Sequence, residues 1–164
     1  MDWESIEDEV EKFDIDLIHP VILRAEDIGS RAPYPNFDRQ DPLVSLLTNL
    51  SRLYLDPLGV EFGLRAIRQS LNYLNKAKDA GLNRQWALNN IVLHKILPKM
   101  VIELDKSTAT GAKRRDLLAG FRGVLEGELK DLDKALVTES AIDSLDDLIA
   151  RAEGNHGIAN FWAR

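Results

Sequence analysis

The sequence predicts an all-α fold, a helical bundle of about five helices with an extended N-terminal arm. Two observations carry this. From residue 41 onward, apolar side chains recur at three- and four-residue spacing along almost the whole remaining chain. No tight-turn signal between alternating strands and no strand–helix alternation appears. The predicted organisation is an acidic segment and linker or arm over residues 1–40, followed by the bundle over residues 41–164.

Residues 1–16 hold eight carboxylates against Lys12, and Trp3, Ile6, Val10 and Phe13 recur at helical spacing, so a short amphipathic helix is expected there. Residues 15–23, IDLIHPVIL, read as an extended apolar piece broken at Pro20. Residues 31–40 hold two prolines and no periodicity, as a linker does. Asp41-Pro42 is a helix start: a carboxylate can cap free amides and proline suits the first helical position. Leu43, Leu46, Leu47, Leu50 and Leu53 form the first stripe, stopped by Asp56-Pro57-Leu58-Gly59. A second helix is expected from about Val60 to Ala80, with Val60, Leu64, Ile67, Leu71 and Leu74 inward and Gly81 as its stop.

Asn83 can cap a third helix with a wide apolar arc from Trp86 to Leu97, which makes it the central and most buried one. His94 then belongs to its core or boundary, and Pro98 should kink or end it. Residues 104–113 form a polar loop. A fourth helix is expected over residues 113–137, with Gly120, Gly123 and Gly127 on one side, where a neighbour could approach closely. A fifth starts at Thr138 or Ser140, turns Ile142, Leu145, Ile149 and Ala152 inward and ends at Gly154. Phe161 and Trp162 are expected to dock back onto the bundle.

Composition narrows the function. The 164 residues are 45% hydrophobic and 29% charged, as in a globular domain. Cysteine is absent, which removes disulfides, thiol catalysis and cysteine-ligated metals. A net charge of −6 argues against direct nucleic-acid binding. No apolar run reaches bilayer length, and MDWESIEDEV has no basic start or apolar stretch of a secretory signal, so a cytoplasmic, membrane-free protein is expected. Phosphate-loop, dinucleotide, nucleophile-elbow and zinc-helix motifs are all missing. His19, His94 and His156 lie far apart, so no metal site is expected. Asp146-Asp147 and Asp131 with Asp133 fall on expected helix surfaces, where carboxylates solubilise.

Two basic groups remain. Arg65, with Arg68 one turn later, is either a solvated pair beside Glu61 or a guanidinium at a helix N-terminus, where dipole and charge favour an anion such as phosphate. Lys113, Arg114 and Arg115 are either a solvated helix start or a contact for an acidic partner or a nucleic-acid backbone.

Three segments carry a resemblance. EFGLRAIRQSLNYL (residues 61–74), ALNNIVLHKILPKM (87–100) and GIANFWAR (157–164) occur in the order and spacing found in the C-terminal helical lid of AAA+ ATPases, closest in form to the McrB-like branch of restriction-system motors. The resemblance implies a lid that packs over nucleotide bound to an αβ core. It implies that Arg65 matches the sensor-2 position, which reaches toward the terminal phosphate, with Arg68 as an auxiliary candidate. Lys95 and Lys99 flank the second motif without an assigned role. The chain departs from the pattern at Leu64, where an aromatic is usual, and residues 1–40 hold no Walker A, Walker B or sensor 1. By this reading the chain alone is not an enzyme and holds no cofactor in isolation. ATP or GTP with magnesium would bind only with a core, and the partners would be that core or sibling subunits. The alternative is a free-standing helical interaction module or adaptor, reaching another protein through its acidic N-terminal segment and arm.

Overall fold

The computed structural model describes residues 42–133, 135 and 137–162. The helix expected in residues 1–16, the arm at 15–23, the linker at 31–40, His19 and the cap at Asp41 lie outside the described residues.

The described part is mostly helical, with one small two-stranded sheet. The first helical rod, α1, begins at Pro42–Leu50, passes through a wide turn over Ser51–Leu55 and ends at Asp56–Leu58. Then come α2 (Leu64–Asp79) and the rod α3, built from Arg84–Ile91, a second wide turn Val92–Ile96 and a tight turn Leu97–Lys99. Strand β1 (Val101–Glu103), α4 (Arg114–Glu128), α5 (Ala141–Gly154) and strand β2 (Ile158–Asn160) complete it.

Both wide turns answer a proline. Asp56 donates its amide to Ser51 O just before Pro57, and Leu97 donates to Val92 O just before Pro98. A proline has no N–H and its ring strikes the carbonyl four residues back. A five-residue turn moves that carbonyl aside, so the rods continue past a residue that would otherwise stop them. In α1 the extra residue also rotates the apolar stripe. Leu47 and Leu50 are buried as expected, but Leu53 is 57% exposed and Leu55 and Leu58 take the inward places.

The expected start of α2 at Val60 gives way to a connector over residues 59–63. Gly59, in the left-handed region at φ 81°, donates to Asp56 O, and Val60 donates to Leu55 O at 2.8 Å. These are the paired bonds of a glycine-terminated helix end. Val60 and Phe62 then fill the core from the connector, and Leu64 faces solvent at 64% exposure. Gly81 closes α2 the same way, with Leu82 donating to Ala77 O.

α3 is central, as its sequence predicts: Ala87, Leu88, Ile91, Val92, Leu93, Ile96 and Leu97 are all buried. His94, expected in the core or boundary, is exposed. The one polar side chain that α3 buries, Asn89, holds the start of α5. Its Nδ2 donates to Glu139 O at 3.0 Å, and its Oδ1 accepts from Ala141 N at 2.7 Å. Ser140 between them caps α5, its Oγ accepting from Asp143 N.

This anchor helps explain why α4 is shorter than the expected 113–137. The chain must turn back after Leu129 to reach Glu139, and it does so through turns in which Asp133 Oδ1 accepts from Ala135 N. Of the three α4 glycines, Gly120 alone meets a close neighbour: a Cβ there would lie 2.7 Å from Tyr54 Cε1, whereas Gly123 and Gly127 face open space. On α5 the buried stripe is Ala141, Leu145, Leu148 and Ala152, with Ile142 and Ile149 partly covered rather than fully inward.

The sheet was not expected. Val101, Ile102 and Glu103 pair antiparallel with Asn160, Ala159 and Ile158, and Leu104 N extends the register to Gly157 O at 2.8 Å. Ile102 is buried, while Val101 and Ile158 are exposed. Side chains from the end of α5 satisfy the other edge of β2: Asn155 Nδ2 donates to Ile158 O and Arg151 Nη1 to Asn160 O. Phe161 docks on the core as expected, but Trp162 is held by its indole N–H on Pro98 O and stays 73% exposed.

Candidate functional site

The sequence leaves two basic groups to weigh, and the fold treats them differently. Arg65 is the second residue of α2. Gly63, the residue before that helix, carries no side chain and offers no cap, so the first amides of a 16-residue helix have neither an intrahelical acceptor nor a capping oxygen. Ile67 N is the first to bond back, to Gly63 O at 3.1 Å.

The connector in front is fixed carbonyl by carbonyl. Lys99 Nζ donates to Glu61 O at 3.0 Å, and the buried Ser51 Oγ donates to Phe62 O at 2.9 Å. With Phe62 anchored in the core, the helix start cannot roll. The result is a shallow concavity of about 360 Å³, lined by Glu61, Gly63, Leu64, Arg65, Gln69 and Lys99. Arg65 is exposed in it and makes no ion pair or hydrogen bond among the described residues. Arg68 is exposed one turn later but is not part of the lining.

Two side chains that sequence reasoning left without a role meet here. Lys95 and Lys99 are four residues apart near the end of α3, and both reach toward α2: Lys95 Nζ to Gln69 Oε1 at 3.3 Å, Lys99 Nζ to Glu61 O. Their one-turn spacing was the available signal, since residues four apart on a helical rod share a face. The concavity therefore gathers two cations from two elements around a helix N-terminus. Chemically it suits a compact oxyanion; nothing in it resembles a nucleophile with its base.

The second group is used internally. Lys113 is the exposed residue before α4. Arg114 is half-buried and pairs through Nη1 with Glu103 Oε2 of β1; its Nε is buried with no partner among the described residues. Arg115 pairs with Glu153 of α5 at 2.7 Å. Glu103 also accepts from Lys106 Nζ at 2.6 Å. That hydrogen bond, with the positive charges of Lys106 and Arg114, holds the Glu103 carboxyl below its usual range against a partial desolvation.

The carboxylates are engaged in the same way. Arg122 grips Asp146 with two bonds, Nε to Oδ1 at 2.6 Å and Nη2 to Oδ2 at 2.9 Å, and reaches Glu126 with Nη1. The Asp146 carboxylate, by hydrogen bond and by charge, raises the Arg122 pKa further above its already high value. Asp147 pairs with Arg151 one turn on, at 2.9 Å. A larger trough of about 530 Å³ runs along α5 beside Glu139, Asp143, Ser144, Asp147, Arg151 and Phe161. Among the described residues there is no cluster of three side chains able to hold a metal ion, and no helix is long and apolar enough to cross a membrane.

No curated protein and no solved structure matches the chain. A family model does, across most of its length, residues 22–155. The chain belongs to that family, whose description is "Domain of unknown function (DUF8727)".

Proposed function

We propose that this chain is the helical lid of a nucleotide-driven motor of the McrB-like AAA+ type, acting in the cytoplasm, and that Arg65 is its sensor-2 arginine. The observation that carries the reading is Arg65 itself. A guanidinium with no ion pair among the described residues stands at an uncapped helix start, inside a concavity, behind a pinned connector. A planar fork of N–H donors is the side chain that suits bidentate contact with a phosphate, and the adjoining helix dipole favours the same charge. Leu64 beside it supplies exposed apolar surface where the resembling lids carry an aromatic.

The residues present fit the terminal phosphate of a nucleotide and nothing more. The metal and the rest of the phosphate cradle would come from a core polypeptide, so the chain by itself would not hydrolyse nucleotide. The exposed Val101, Ile158 and Trp162 on and beside the β-ribbon are the kind of surface a domain carries when another polypeptide covers part of it. They equally support the reading as an adaptor that binds protein and no nucleotide.

Reconstitution separates the two. A Walker A-bearing core that lacks its lid is assayed for nucleotide turnover with and without this chain. Turnover is expected to rise on addition, and Arg65→Ala is expected to cut the gain by about 100-fold, the scale of one lost transition-state donor. Equal restoration by Arg65→Ala and wild type removes the sensor assignment. A stable complex with no effect on turnover favours the adaptor.

A further inference from the structure

We propose that Lys99 is the second cation of the Arg65 concavity, contacting the same phosphate oxyanion. The inference rests on the reading of that concavity as a phosphate site and assigns a role to a residue that reading does not use.

Three observations lead to it. Lys99 comes from the far end of α3, 34 positions beyond Arg65, yet both side chains line one concavity. Its Nζ carries three N–H donors, and the structure uses one, on Glu61 O. Two remain for the space that Arg65 faces. Among the described residues Lys99 makes no ion pair, whereas Lys106, Arg84, Arg114, Arg115, Arg122 and Arg151 all do. Glu61 also lines the concavity, but its carboxylate is ion-paired with neither Arg65 nor Lys99, so two cations on converging elements stand there against one carboxylate. A multiply charged oxyanion is the ligand that relieves that excess. Lys95 lies one turn earlier with its ammonium on Gln69, and so holds a second lining side chain in place.

The geometry asks for a cation with several donors, which either lysine or arginine supplies. Fixing the Glu61 carbonyl and touching a ligand need donors that point in more than one direction. An ammonium supplies them from one atom, and a planar guanidinium can do so from its separate nitrogens. Lys99→Gln keeps an N–H donor and loses the charge; Lys99→Arg keeps the charge.

Inorganic tripolyphosphate is titrated into the full chain at low ionic strength, and the Leu64, Arg65 and Ala66 amide signals are followed by NMR. Wild type is expected to shift these amides in a saturable way. Lys99→Gln is expected to weaken binding about tenfold, the worth of one charge-assisted hydrogen bond. Lys99→Arg is expected to stay within about threefold of wild type, and Lys130→Gln, on another face, to bind as wild type does. Equal weakening by Lys99→Gln and Lys99→Arg would trace the loss to geometry and overturn the inference, as would wild-type binding by Lys99→Gln. In either case a loss in Arg65→Ala leaves the Arg65 reading standing. Loss in Lys99→Gln with none in Arg65→Ala keeps the second cation and removes the sensor assignment. An unshifted wild type at millimolar tripolyphosphate overturns the inference, while the Arg65 assignment is decided by the turnover of the reconstituted mixture.

Discussion

At the start of α2 an arginine faces a concavity with no carboxylate bound to it among the described residues; at the start of α4 two arginines are each locked to a glutamate from another element. The helices are of nearly equal length, 16 and 15 residues, and cations near either N-terminus oppose the helix dipole by up to about 1 kcal/mol each. At α4 that cost is offset by Glu103 and Glu153, and the pairs tie β1 to α4 and α4 to α5. At α2 it is left standing. The start of α4 thus spends its charges on holding elements together, and the start of α2 leaves Arg65 available. Residue type alone does not separate these uses; the carboxylates that decide lie 11 and 38 positions away from their arginines.

If the region around α3, α4 and α5 carries the stability, its largest single contributor should be Asn89. Asn89→Ala leaves Glu139 O and Ala141 N unpaired at a buried site and opens a small void. A loss of about 2–4 kcal/mol in urea unfolding is expected. A loss under about 1 kcal/mol would mean the α5 start is held by packing alone, and the division between the two regions would blur.

Next in size is a contrast within α4. Gly120→Ala gains about 1 kcal/mol of helix propensity but drives a methyl into the Tyr54 ring, so a net loss of about 1 kcal/mol is expected. Gly123→Ala and Gly127→Ala meet nothing and should each gain about 0.5–1 kcal/mol. Thermal unfolding of the three single variants checks the sign at each position; a gain at Gly120 would show that Tyr54 yields without cost.

Much of the fold was legible because helix signals are local. The wide arc of α3, the Ser140 and Asn83 caps and the Gly59 and Gly81 stops all read directly from neighbouring residues. The sheet was not legible: β1 and β2 are three residues each and more than 50 positions apart, so no turn links them and no alternation is long enough to count. The Leu53 and His94 placements failed for a related reason. Wide turns before Pro57 and Pro98 change the angular step, and a stripe extrapolated at 3.6 residues per turn then points to the wrong face. Of the concavity, Arg65 was visible as a residue type in a suggestive place, while Lys99 needed the path of α3 to bring it there.

Smaller effects belong to the exposed pairs. Arg122→Ala removes a two-bond grip on Asp146, but the pair is solvent-accessible, so about 0.5–1 kcal/mol is expected, shrinking in high salt. For Glu103 the sign follows from its lowered pKa. The folded state favours the carboxylate, so its contribution is fully present above the usual value of 4.5 and is lost as pH falls through the lower folded value. Melting temperatures of wild type and Glu103→Gln should differ most near neutrality and converge in acid, and a difference that grows on acidification would reverse the assigned sign.

The smallest effect is expected where function is proposed. Arg65→Ala removes no hydrogen bond or ion pair among the described residues, vacates no buried volume and slightly relieves the α2 dipole. Its stability should match wild type within about 0.5 kcal/mol, with any change being a gain. That near-neutrality is informative because it is asymmetric with Arg114→Ala, which strands Glu103 beside Lys106 alone and should destabilise. Parallel denaturation of the two variants decides the matter. Were Arg65→Ala as costly as Arg114→Ala, the guanidinium at α2 would be a structural strut like its counterpart, and the helix start taken as free for a ligand would be engaged in folding.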